Sequence, residues 1–117
     1  MYSNPQKLSS GDVLELRREA GRWLKMLREE RGLSQRQMAS LIGADYYTFI
    51  SQIEAGRGRI PPDRYTVWAQ ALGLEPKFLV RTLLRYYDPA TYKALFGEDD
   101  SEPSPSAVPS ETSPHVL

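Results

Sequence analysis

The sequence predicts an all-α fold of five to six helices, followed by a disordered acidic tail. Apolar residues recur at spacings of three and four between Val13 and Phe96, and the period-two alternation of a strand never appears. Most of these periodic segments open on a capping side chain or a proline and close on a glycine. The last segment, "EDDSEPSPSAVPSETSPHVL", has four prolines, no aromatic residue and little apolar surface to offset its ordering entropy.

The helices follow in order. "SGDVLELRREAGRWLKMLREERG" spaces Val13, Leu16, Ala20, Trp23, Leu24 and Leu27 for one face of a long first helix, about 12 to 31. Asp12 is its expected cap and Gly32 its stop. "SQRQMASLIG" is a short second helix with Ser34 as N-cap and Gly43 at its end. A third is expected over 45 to 55, capped by Asp45 and stopped by Gly56, and a fourth begins near Pro62 and carries Tyr65, Val67, Trp68, Ala71 and Leu72. "EPKFLVRTLLRYY" places Pro76 in a fifth first turn, and "DPATYKALFG" uses Asp88 as cap and Gly97 as stop.

Composition narrows the function. At 117 residues the chain suits one domain, read as 8 to 97, with 98 to 117 as a passive solvated tail. No apolar run approaches the roughly 18 residues of a membrane span, the N-terminal stretch lacks a signal-peptide core, and there is no cysteine, so a cytoplasmic protein is expected. The net charge of zero hides a segregation. Residues 1 to 97 hold all 15 Lys and Arg against 10 Asp and Glu, while the tail holds the other five acids. A basic body is compatible with a polyanionic partner. The only histidine, His115, falls in the tail, and the carboxylates form no paired set, so no catalytic residue, metal ligand or cofactor is expected.

Two short helices around a turn with Gly43, followed by the Gly-Arg loop "GRGR", have the layout of a helix-turn-helix. The anchors "LREERGLSQRQMASLIG", "ISQIEAGRGRIP" and "WAQALGL" resemble the XRE, or phage-repressor, type of helix-turn-helix over about residues 22 to 74. The chain departs from that pattern by one extra residue before Ile53-Glu54 and one between Glu54 and Pro61. The resemblance implies duplex DNA as partner, read in the major groove by the third helix. It also implies an architectural pairing of Arg28 with Glu54.

A helical projection of 45 to 55 puts Tyr46, Phe49, Ile50 and Ile53 on one inward face, making the two aromatics packing residues. Tyr47, Thr48, Ser51 and Gln52 are then the base-contacting set, and counting back from Ile53-Glu54 gives the same positions that the family uses for reading. Gln offers a bidentate amide to adenine, and Ser and Thr suit any base edge. Gln35 and Arg36 at the start of the second helix, with Arg57, Arg59 and Arg64 after the third, are the expected phosphate contacts. Residues 75 to 96 carry more apolar surface than one core face needs, which makes a homodimer the expected assembly. The leading reading is a sequence-specific transcription regulator, a repressor in preference to an activator. The competing one is an antitoxin-like or adaptor module whose protein partner grips residues 75 to 96 or the tail.

Overall fold

The computed structural model describes residues 9–97, and every regular element among them is a helix. In order these are α1 (Ser10–Glu30), α2 (Gln35–Ile42), α3 (Thr48–Glu54), a 3-10 turn (Pro62–Arg64), α4 (Tyr65–Leu72), α5 (Pro76–Tyr87) and α6 (Pro89–Phe96). The all-α expectation is borne out. The tail, and with it the expectation of disorder, lies outside the described residues.

Local chemistry explains most boundaries. Ser34 and Gln37 form a reciprocal capping box on α2, with Gln37 N–H donating to Ser34 Oγ at 3.0 Å and Ser34 N–H to Gln37 Oε1 at 2.7 Å. Gly43 closes α2 at φ 73°, a left-handed conformation that an L side chain resists. Pro76 and Pro89 open α5 and α6, and the Asp88 carboxylate accepts from Thr91 N–H at 3.1 Å, as a cap should.

Two boundaries depart from the sequence expectation. The cap of α1 is Ser9, whose Oγ accepts from Asp12 N–H at 3.1 Å, so Asp12 is a first-turn residue and not the cap. The apolar pattern begins only at Val13, one turn inside the helix, and so hides the start. The third helix does not span 45 to 55. It starts at Thr48, with Tyr47 at the N-cap position and no side-chain cap, and Asp45 lies in the preceding turn. The cap of α2 explains this: Ala44 N–H still donates to Ala39 O at 2.9 Å, so the chain leaves α2 only there and uses 45–47 to turn. The helix from Thr48 to Glu54 is unbroken, which places the residue in excess of the family spacing in the turn.

One core holds the helices together. Trp23 and Leu24 of α1, Met38 and Ile42 of α2, Ile50 and Ile53 of α3, Trp68 and Leu72 of α4, and Phe78, Leu79 and Leu83 of α5 are all buried. Trp23 and Phe78 meet edge to face with centroids 6.2 Å apart, tying α1 to α5. Helix α3 crosses α1 where a side chain is missing. A Cβ on Gly21 would stand 2.2 Å from the Glu54 carbonyl oxygen.

The loop after α3 is fixed from the end of α5. Ile60 is fully buried, and its N–H donates to the Tyr87 hydroxyl at 3.3 Å. Burial pushes the Tyr87 phenol from 10.0 up to about 12. The fold therefore holds the neutral phenol while an unfolded chain ionises it from about pH 10, so the stability Tyr87 provides is present below pH 10 and lost as pH climbs to 12. Urea midpoints of the native chain and Tyr87→Phe, measured from pH 8 to 12, should converge above pH 10, the stability difference shrinking by about 2 kcal/mol. A constant difference across that range would refute the assignment.

Candidate DNA-binding surface

The site is organised around a buried ion pair. Arg28, in the last turn of α1, donates from Nε to Glu54 Oε2 at 2.7 Å and from Nη2 to Glu54 Oε1 at 3.0 Å. Its Nη1 donates to the Leu33 carbonyl at 2.7 Å. The carboxylate hydrogen bonds raise the Arg28 guanidinium above its ordinary value, against the opposing effect of desolvation. Gln35, in the first turn of α2, donates from Nε2 to Glu54 Oε1 at 3.0 Å. One carboxylate thus joins the end of α1, the start of α2 and the end of α3, and the pairing implied by the family resemblance is present.

On this frame α3 turns Ile50, Ile53 and Glu54 inward, while Thr48, Gln52 and Ala55 are exposed. Tyr47 is exposed beside α2, and the Arg36 guanidinium lies 4.4 Å from its ring centroid. Ser51 is half-buried and donates its hydroxyl back to Thr48 O at 3.0 Å, which leaves its lone pairs for an outside donor. Gln35 thus holds the first turn of α2 at the end of α3, and Arg36 reaches Tyr47 at its start, beside the short helix that exposes Thr48 and Gln52.

The remaining arginines sit differently. Arg57 is exposed in the loop, and its N–H donates to Gln52 O at 3.0 Å. Arg59 is half-buried, donating to the Tyr65 hydroxyl at 3.0 Å with its guanidinium 4.5 Å from the Tyr87 ring centroid. Arg64 donates to the Ile42 carbonyl, closing the C-terminal end of α2 beside Gly43. A guanidinium has five donors, so both retain N–H groups beyond these contacts.

The structure corrects the reading of two aromatics. Tyr46 and Phe49 do not turn inward: they are 74% and 58% exposed. Tyr46 precedes the helix, so helical angles do not apply to it. Phe49 sits in the first turn, at the rim of a shallow cleft shared with Ile42, Pro61, Arg64 and Trp68. The extra residue before Ile53-Glu54, read as a later helix start, could have exposed the error for Tyr46, whereas Phe49 lies only about 40° from Ile53 around the helix and carries no such signal.

Two short helices at a glycine turn, braced by a third through a buried ion pair and presenting a polar helix face, define the helix-turn-helix class of DNA-binding domains. Residues 19–83 match the family described as "Helix-turn-helix domain", a family of XRE-like domains, and the chain belongs to it. No curated protein matches the chain. Among the described residues no helix is long and apolar enough to cross a membrane, and no cluster of His, Cys, Asp and Glu could hold a metal ion.

Proposed function

We propose that the chain is a sequence-specific transcription regulator, a repressor, that binds duplex DNA as a homodimer with α3 in the major groove. The observation that carries this reading is the Arg28–Glu54–Gln35 junction, which fixes the start of α2 against the end of α3 while Thr48, Gln52 and Arg57 stay exposed. A rigid scaffold with a free polar helix face is what base readout requires. Tyr47, Thr48, Ser51 and Gln52 contact bases. Gln35, Arg36, Arg57, Arg59 and Arg64 lie toward phosphates, Arg59 and Arg64 with the N–H groups left over from their internal bonds.

The homodimer reading is supported by an open apolar groove between α4, α5 and α6, lined by Tyr65, Val80, Leu84, Leu95 and Phe96. Leu95 is 64% exposed, and no residue of α6 is buried. A two-fold dimer calls for a pseudo-palindromic operator with half-sites about 10 to 10.5 bp apart, or a multiple. The same groove is what an adaptor or antitoxin would offer to a protein partner. Light scattering at tens of micromolar, with and without DNA, separates the two, because only the first gives a dimer of this chain alone.

Selection of bound sequences from random duplexes, followed by affinity measurements over a salt series, tests the DNA reading. Gln52→Ala should lose discrimination at one or two positions by about 1 to 3 kcal/mol. Arg57→Ala should weaken all sequences alike and lower the slope of log K against log salt by about 1. If neither change alters binding at moderate salt, α3 is not the reading element.

A further inference from the structure

Four of the seven large hydrophobic side chains exposed among the described residues fall within residues 41–49: Leu41, Tyr46, Tyr47 and Phe49. The fold does not cover this concentration, and it lies at the mouth of the polar surface already described. On α3, Phe49 and Gln52 are three residues apart and therefore neighbours, about 60° around the helix from one another. Tyr46 lies in the turn just before the helix, where its carbonyl accepts from Phe49 N–H at 3.2 Å. The result is an exposed ring, Phe49, next to an exposed amide, Gln52, with a second exposed ring, Tyr46, in the turn that precedes them.

We propose that Phe49, with Tyr46 beside it, reads the C5-methyl group of thymine next to the base pair taken by Gln52. This rests on the DNA-binding reading and sharpens it to a base. A phenyl ring has neither donor nor acceptor, so phosphates and the polar groups of base edges give it nothing to bond. The one apolar group displayed in the major groove is the thymine methyl. A spacing of three residues is about 4.5 Å along a helix, against about 3.4 Å per base pair, so the thymine stands one or two base pairs from the Gln52 contact. The half-site therefore contains an adenine for Gln52 and, at that distance, a thymine recognised for its methyl alone. Cytosine methylated at C5 carries the same methyl and should partly replace it.

The experiment begins with the full chain and duplexes selected from a random library. Each thymine of the selected half-site is replaced singly by deoxyuridine, which deletes the methyl and leaves every hydrogen-bonding group in place. Affinities are measured at one salt concentration for the native chain and for Phe49→Ala, with circular dichroism to establish that the variant is folded. One or two positions should weaken the native chain about fourfold, and Phe49→Ala should lose that sensitivity at one of them. Deoxyuridine tolerated at every position overturns the inference while leaving the DNA reading intact. So does a penalty equal in both proteins, as when the patch holds a second copy of the chain. Failure to select any sequence overturns both.

Discussion

Gly21→Ala should unfold a large fraction of the domain, or lower its stability by about 3 kcal/mol or more, although alanine is the better helix former. The added Cβ would lie 2.2 Å from the Glu54 carbonyl oxygen, 2.6 Å from its carbonyl carbon and 2.8 Å from the Ile53 carbonyl oxygen. These are backbone atoms, which cannot rotate away as a side chain can. Relief requires α1 and α3 to separate, and the separation would pull on the Arg28–Glu54 bonds and on the packing of Trp23 and Ile53. Ordinary overpacking costs about 1 to 3 kcal/mol. A contact at this distance with main chain belongs at or beyond the top of that range, in a domain whose whole stability is about 5 to 15 kcal/mol. Gly11, in the same helix, is the control: its added Cβ would meet only Ser9 Oγ, at 3.8 Å. Gly11→Ala should be neutral or stabilising by up to about 1 kcal/mol. Urea denaturation of both variants decides the matter, and a Gly21→Ala midpoint equal to that of Gly11→Ala would refute the close crossing.

That crossing shows where the sequence stops being legible. The spacing of apolar residues locates six helices, and Gly43, Gly56 and Gly97 mark their stops because a positive φ is a local requirement. Asp88 is legible as a cap for the same reason, since its partner is three residues away. Gly21 carries no such mark, because its requirement comes from Glu54. The candidate site divides likewise. Thr48 and Gln52 are exposed, as periodicity requires, and the Arg28–Glu54 pair follows from the family resemblance. Tyr46 reads as inward only because a helical projection is carried past the start of α3, which depends on how many residues the turn after Gly43 uses. Phe49 lies in the first turn and is exposed because no element among the described residues covers that end of the helix. Arg59 reads as a free loop cation in the sequence, yet it is held by Tyr65 and by Tyr87 from α5. Arg64 similarly closes the end of α2, and Gln35 joins the buried ion pair. Contacts between residues far apart in sequence leave no periodic trace.

Glu54→Ala should cost about 3 to 5 kcal/mol, because it leaves the buried Arg28 guanidinium without its hydrogen-bonded carboxylate. The Gln35 amide loses its acceptor at the same time, and the start of α2 its tie to the end of α3. Glu54→Gln keeps the shape and one acceptor but not the charge, so it should fall between the native chain and Glu54→Ala. Arg28→Lys should also be poorly tolerated: the guanidinium spans both carboxylate oxygens and the Leu33 carbonyl at once, which a single ammonium cannot do. The instructive variant is the double one, Arg28→Met with Glu54→Leu. Replacing a buried pair by apolar side chains of similar volume is often neutral or stabilising, so the double variant should recover most of the loss of Glu54→Ala. Gln35 would still have lost its partner, however, and α2 and α3 would be held to one another by packing alone. Stability and DNA affinity should therefore separate: the double variant folds, but it binds a selected operator more weakly than the native chain, with the salt slope unchanged because no phosphate contact is removed. Thermal denaturation and operator titration of the native chain, Arg28→Met, Glu54→Leu and the double variant, as a double-mutant cycle, give both quantities. Native affinity in a double variant of native stability would show that the ion pair serves folding and has no part in holding α3 for DNA.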